Sequence, residues 1–364
     1  MSYIAVLPGD GIGPEVVDEA VKIIKSVEDL TAIKYQLEFG EVGGIAYEKH
    51  GNPLPEITME LIQNCKAVLF GAVGGPKWDN LDSDLRPEMG ILKIRKTLDL
   101  YANLRPVKIF EALKENSPVK PEILENVDIL IIRELTGGLY FGEPKMQMNE
   151  KPERSAVDTM FYKEKEIERI VRLAFTISKS NNLKLTSVDK ANVLETSRLW
   201  RKIVDELGNS FSEVEYNHML VDNAAMQLIQ NPRQFNIIVS ENTFGDILTD
   251  EASVLSSSLG MLPSASLSFV PGESNDDKQS LYEPIHGSAP DIAGQSISNP
   301  IGMILSTAMM FEFTYNQKEI SDLLFSCVEK VINDGYRTKD ISNSKNYCTT
   351  QEMGDAIVKE IRSR

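Results

Sequence analysis

The stretch YIAVLPGDGIGPEVVDEAVKIIKSV, residues 3–27, passes from a β-branched apolar run at 3–7, through a glycine cluster, into an amphipathic run with helical spacing at 13–27. KYQLEFGEV at 34–42 then reads as a second strand, and the same alternation continues along the chain. Strands are predicted at AVLFGAV (67–73), VDILIIREL (127–135), LKLTSVD (183–189) and FNIIVS (235–240), each followed by a turn signal. Alternation of this kind marks an α/β protein with helices covering a sheet, and consecutive apolar positions mark strands buried on both faces. Between the first strand and helix, GDGIGPEV at 9–16 departs from the GxGxxG dinucleotide fingerprint, because Gly9, Gly11 and Gly13 are followed by Pro14. Pro14 suits the first turn of a helix, so a tight strand-to-helix turn accounts for the glycines at least as well as a phosphate cradle does.

Composition narrows the class. The 364 residues are 42% hydrophobic and 25% charged, as in an ordinary globular protein of about two domains. With 38 basic against 54 acidic residues the net charge is −16, which disfavours nucleic acid as a partner. Cys65, Cys327 and Cys348 show neither CxxC spacing nor nearby histidine pairs, so neither a disulfide framework nor a zinc site is implied. The opening residues lack the pattern of a signal peptide and no apolar run is long enough to span a bilayer, so a cytoplasmic location and no membrane partner are expected. His50, His218 and His286 are far apart in sequence and form no hydrolase-like arrangement with a serine or cysteine.

Several charged residues stand out. Arg95 and Arg105 flank a helix end and turn in KIRKTLDLYANLRP, and Arg133 lies inside the apolar strand IIREL, where a guanidinium is costly unless it meets an anion. Together they could bind a dicarboxylate; singly, each is as well read as an ordinary ion pair. Lys190 follows a strand and precedes the helix-like run NVLETSRLWRKIVDEL, at the edge where open α/β sheets place their sites. Asp246 and Asp250 are four apart in SENTFGDILTDEAS, hence on one helix face, and Asp222 opens another helix in LVDNAAMQL. Each aspartate alone reads as a cap, whereas three brought together would suit Mg2+ or Mn2+. The segment VPGESNDDKQS at 270–280 reads as an acidic surface loop before EPIHGSAPDIAG.

With GGPKWD (74–79), RELTGGLYFG (133–142), DKANVL (189–194), NTFGDILTDEAS (242–253), GMLPSASL (260–267), HGSAPDIAGQ (286–295) and QEMGDAI (351–357), the chain closely resembles the metal-dependent β-decarboxylating hydroxyacid dehydrogenases, in particular the branch acting on 3-isopropylmalate. The resemblance covers essentially the whole chain. It implies an α/β, isopropylmalate/isocitrate dehydrogenase-like two-domain fold with a large mixed sheet flanked by helices, distinct from the doubly wound dinucleotide fold. The first domain would comprise 1–100 plus 257–364 and the second 101–256. Arg95, Arg105 and Arg133 would hold the malate carboxylates, Asp222, Asp246 and Asp250 a divalent metal, and Lys190 and Tyr140 would be the acid/base pair. Asp222 would also border the substrate. NAD would be bound by Gly75, Glu88, His286, Gly287, Ser288, Ala289, Pro290, Asp291, Ile292 and Asn299. A homodimer with shared sites is implied, Lys190 and Asp222 reaching across. The 270–280 loop is longer and more acidic than the family usual, which bears on the adenine side of the cofactor site.

The implied chemistry is hydride transfer from C2, loss of CO2 from C3 and protonation there. Lys190 would be the base, its pKa depressed by a cationic, partly dry site; Tyr140 would be the acid, assisted by cations. In PEMGILKIR, Ile91 and Leu92 lie one helical turn before Arg95 and suit a branched alkyl substituent, though they could equally be core. Asp291 would accept hydrogen bonds from the ribose 2′-hydroxyl and repel a 2′-phosphate, favouring NAD over NADP; a helix cap is its alternative role. A catalytically idle relative would lack the lysine, the tyrosine or an aspartate, and all are present.

Overall fold

The computed structural model describes residues 3–149 and 153–364. The strands are β1 Ile4–Gly9, β2 Leu37–Phe39, β3 Ala67–Ala72, β4 Ala102–Lys108, β5 Asp128–Glu134, β6 Met146–Met148, β7 Ser155–Val157, β8 Leu185–Asp189, β9 Tyr216–Leu220, β10 Ile237–Ser240, β11 Pro263–Leu267 and β12 Ser280–Pro284. The helices are α1 Gly13–Thr31, α2 Gly44–His50, α3 Glu56–Asn64, α4 Glu88–Thr97, α5 Pro121–Leu124, α6 Glu164–Asn181, α7 Glu195–Gly208, α8 Val221–Gln230, α9 Asn242–Ser253, α10 Ile301–Phe313, α11 Lys318–Asn333 and α12 Thr350–Arg362. They group into two compact units, one of Met1–Leu100, Ile109–Pro118 and Ser256–Arg364, the other of Tyr101–Lys108 and Val119–Leu255.

In the first unit the strand order is β2-β1-β3-β12-β11. β1 runs parallel to β2 and β3, and β12 parallel to β3 but antiparallel to β11, so the sheet is mixed. Every residue of β3 is buried, as its unbroken apolar run requires for a strand covered on both faces. β2 is shorter than the apolar pattern at 34–42 predicts. It is the edge strand, with one pairing neighbour, and its Phe39 is 61% exposed, so no second strand or core face extends it. α10 is buried over eleven consecutive residues and packs on β11, β12, α1 and α11. α1 presents Val16, Val17, Ala20, Ile23, Ile24 and Val27 on one face, at helical spacing.

The glycine cluster is a turn governed by close approach. A Cβ on Gly11, whose φ is +60°, would stand 1.9 Å from the Ser288 carbonyl oxygen, and the Ile12 N–H donates to that oxygen at 2.8 Å. Only glycine permits both.

The second unit orders its strands β4-β5-β10-β8-β9, with β4 antiparallel to β5 and the others parallel. α6 packs on β5, β8 and β10, whereas α9 packs on β4, β5 and β10. β6 and β7 pair antiparallel in a separate two-stranded sheet.

The acidic segment 270–280 fills most of the connection between β11 and β12 and ends on the first residue of β12. Lys66 Nζ bonds the Asn275 backbone and its Oδ1, and Asn275 Nδ2 donates to the Phe313 and Thr314 carbonyls. This tethers the loop beside the start of β3, since Ser280 pairs with Ala67. The 286–292 loop leaves the other end of β12, roughly 15 Å away along the strand. The two loops thus flank opposite ends of one strand.

Candidate active site

Two buried guanidiniums organise the second unit. Arg105, the fourth residue of β4, and Arg133, the sixth of β5, belong to adjacent antiparallel strands, and α9 lies over both. Gly245 allows that approach, because a Cβ there would stand 2.8 Å from Arg133 Cγ. Arg133 Nε and Nη2 donate to Asn242 Oδ1 at 3.0 and 2.8 Å, and its Nη1 bonds Asp246 Oδ1. Arg105 donates to Asn103 Oδ1 at 2.6 Å and to Thr249 Oγ1 at 2.7 Å, and its Nη1 stands 3.9 Å from both Asp246 Oδ1 and Asp250 Oδ1. Tyr140 donates to Asp246 Oδ2 at 3.0 Å, with Arg133 Cζ 5.8 Å from its ring centre. One helix face thus carries two carboxylates toward two guanidiniums and a phenol.

The cap reading fails for Asp246 and Asp250. The N-terminus of α9 is capped by Glu241, whose carboxylate accepts from the N–H of Phe244 at 2.6 Å and of Thr243 at 3.1 Å. Asn242 and Thr249, which sequence reasoning passed over, share the face of Asp246 at helical spacing; that spacing was the signal available. Burial raises the Asp250 carboxyl, opposed by the Arg105 charge. Tyr140 is also raised, first by burial and then by the Asp246 charge, so the phenol keeps its proton.

Lys190 and Asp222 form a second cluster. Parallel pairing of β8 and β9 sets Asp189 opposite Leu220, so the residues just beyond each strand emerge side by side. Lys190 Nζ bonds Asp222 Oδ1 at 2.6 Å, and this bond lowers the Asp222 pKa. Within one chain the charge against Lys190 is the Asp222 carboxylate. α7 begins at Glu195, later than its apolar pattern predicts, because the N–H groups of Val193 and Leu194 turn back to the Lys190 carbonyl. Among the described residues no three His, Cys, Asp or Glu side chains gather to hold a metal, so Asp222 does not join Asp246 and Asp250 within one chain.

In the first unit Arg95 occupies the last turn of α4 and donates from Nη2 to Glu283 Oε1 at 2.9 Å, while its buried Nε has no partner. Ile91 is 8% exposed and packs into the core with Val42, Leu54, Ile94 and Leu98, whereas Leu92 is only partly buried. A Cβ on Gly74 would meet Glu88 Oε1 at 2.6 Å, so the 74–75 turn and the start of α4 are in contact. His286 Nδ1 stands 2.9 Å from the Gly287 carbonyl oxygen, and burial lowers its pKa. Asn299 bonds Asp340 at 3.0 Å and accepts from Ile301 N–H at 3.0 Å. Ser288 is buried, Ala289 is partly buried with φ +38°, and Gly287, Pro290 and Asp291 are exposed. Asp291 caps no helix: α10 starts only at Ile301, and its N-cap is Pro300. No helix among the described residues is long and apolar enough to cross a membrane.

Over its length the chain is that of an oxidoreductase acting on small molecules, one of the metal-dependent dehydrogenases. The isocitrate/isopropylmalate dehydrogenase family profile matches residues 3–357, and the protein belongs to that family. It is 54% identical to a 3-isopropylmalate dehydrogenase of Carboxydothermus hydrogenoformans, over 98% of this chain and 94% of that protein. It is 52% identical to the 3-isopropylmalate dehydrogenase of Bacillus subtilis, over 99% and 97%. Among solved structures, isocitrate dehydrogenase from Methylococcus capsulatus superposes with a TM-score of 0.86 at 33% identity, covering all of both chains.

Proposed function

We propose that the protein is a cytoplasmic, NAD-dependent dehydrogenase that converts (2R,3S)-3-isopropylmalate to 4-methyl-2-oxopentanoate and CO2, a step of leucine biosynthesis. The observation that carries the reading is the α9 face, where Asp246 and Asp250 meet Arg105, Arg133 and Tyr140. The donor set fits a hard divalent cation, Mg2+ or Mn2+, because Asp246 and Asp250 offer carboxylate oxygens one helical turn apart. Asp246 and Asp250 would hold it, together with Asp222 from a second chain. The 286–292 loop fits a dinucleotide: space around Gly287 is open to 4 Å, and the Asp291 carboxylate is exposed for the 2′-hydroxyl of a ribose. The unpartnered Nε of Arg95 fits an incoming carboxylate.

When bound, the cation supplies a Lewis acid at the C2 oxygen and the nicotinamide a hydride acceptor. Arg95, Arg105 and Arg133 orient the substrate's carboxylates so that one C–C bond is aligned to break. Lys190 takes the C2 hydroxyl proton. Once CO2 has left, Tyr140 gives its phenolic proton to C3; burial and the Asp246 carboxylate hold that proton more tightly in the free chain, and Arg133 opposes them. A homodimer with shared sites is supported by the separation of Asp222 from Asp246 and by exposed apolar side chains, Met226 on α8, Ile247 on α9 and Met146 and Met148 on β6. The test is a panel of 3-substituted malates with NAD and Mg2+ or Mn2+, read by NADH appearance. The 3-isopropyl compound is expected to show the highest kcat/KM; a higher value for isocitrate or tartrate would overturn the assignment.

A further inference from the structure

Beneath the α9 face lies a buried group that the chemistry does not use. Glu134 ends β5 and is fully buried; Tyr162 and Glu241 are 6% and 5% exposed. The Tyr162 hydroxyl stands 3.2 Å from Glu134 Oε2 and 3.3 Å from Glu241 Oε2, and it accepts the Asn242 N–H at 3.0 Å. Each carboxylate in turn holds backbone. Glu134 accepts from the N–H groups of Thr136 and Gly137, both at 2.8 Å, at the start of the turn that delivers Tyr140. Glu241 caps α9, the helix that carries Asn242, Asp246 and Asp250. The fit leaves no slack, because a Cβ on Gly137 would stand 2.5 Å from the Tyr162 ring and one on Gly138 2.6 Å from its hydroxyl.

We propose that Tyr162, Glu134 and Glu241 are positioning residues: the one phenolic oxygen locks the turn bearing Tyr140 to the N-terminus of α9, and so sets Tyr140 and Arg133 against Asp246. Asn242 completes the link, since its N–H is held by Tyr162, its Nδ2 donates to the Gly137 carbonyl at 3.1 Å and its Oδ1 receives Arg133. Full burial makes the arrangement stiff, as breaking any one bond strands a polar group in the core. Burial also pushes both carboxyls above their ordinary range, opposed by the backbone N–H groups each accepts. The inference rests on the proposed role of Tyr140 as proton donor.

Tyr162→Phe removes the oxygen and keeps the ring. Displacing reacting groups by about 1 Å costs up to about 100-fold in rate, so kcat is expected to fall 10- to 100-fold while KM for the 3-substituted malate stays within about three-fold. Glu241→Gln, which retains a capping oxygen, should keep kcat within ten-fold of wild type, whereas Glu241→Ala should match Tyr162→Phe. This pair decides the matter if the tyrosine variant does not fold. Wild-type kcat in Tyr162→Phe and Glu241→Ala, with only a lowered Tm, would overturn the proposal, as would a rise in KM at unchanged kcat. The network is judged on whichever 3-substituted malate the wild type oxidises, so a wild type inactive on 3-isopropylmalate would refute the substrate assignment alone.

Discussion

Asp246→Asn separates the structural and chemical roles of one carboxylate. In the free chain Asp246 opposes two buried guanidiniums, whose side chains are 5% exposed at Arg133 and 9% at Arg105, while its own is 34% exposed. Breaking a fully buried pair costs about 3–5 kcal/mol, but that figure must be discounted here for solvent screening and because asparagine keeps the Oδ1 acceptor facing Arg133. Exchanging charge-assisted for neutral hydrogen bonds then costs about 1–2 kcal/mol, a fall in Tm of a few degrees. Turnover should suffer far more. A Lewis acid worth several kcal/mol at the reacting oxygen corresponds to about 10³-fold or more in kcat. Melting curves with and without Mn2+ give an independent readout: at a hundred times Kd the wild type should gain about 2.7 kcal/mol, and the variant much less. A variant with wild-type turnover, or one stabilised by Mn2+ to the same extent as wild type, would remove Asp246 from the metal site.

Mixing inactive Lys190→Ala and Arg95→Ala subunits should restore part of the activity, since one site in each mixed dimer carries neither defect; verified subunit exchange without recovery would sink the shared-site proposal. Leu92→Ala should lower kcat/KM for 3-isopropylmalate by about 1–3 kcal/mol and spare unsubstituted malate, whereas Ile91→Ala should mainly lower Tm, by about 2–5 kcal/mol of stability, as a core truncation; equal losses on both substrates in Leu92→Ala would make that residue core as well. Asp291→Lys with Ile292→Tyr should shift the ratio of kcat/KM for NAD over NADP toward NADP, and wild-type parity between the two cofactors would contradict the role given to Asp291.

The strands β1, β3, β5, β8 and β10, the helix α1, the turn at Gly9–Gly13 and the candidate charged residues were legible in the sequence because each depends on neighbours within a few positions, whereas β4, β9, β11 and β12 were not read from it. Apolar runs buried on both faces, Pro14 at a helix start and Asp246 and Asp250 one turn apart are local facts, readable from periodicity and backbone sterics. Partnership was not legible. Lys190 meets Asp222 because β8 lies beside β9 in one register, Arg95 meets Glu283 from 188 positions away, and Tyr162 joins Glu134 to Glu241 across 28 and 79 positions. Leu92 and Ile91 are adjacent and chemically alike, yet only the packing of α4 sends Ile91 into the core. The position of the 270–280 loop likewise followed from strand pairing, since adjacency in sequence to the 286–292 loop counted for nothing once β12 ran between them. Strand order and register determine which distant side chains share a few ångströms, and hydrogen bonds and ion pairs act only over that range; the residue types were written in the sequence, but their pairing belonged to the tertiary structure.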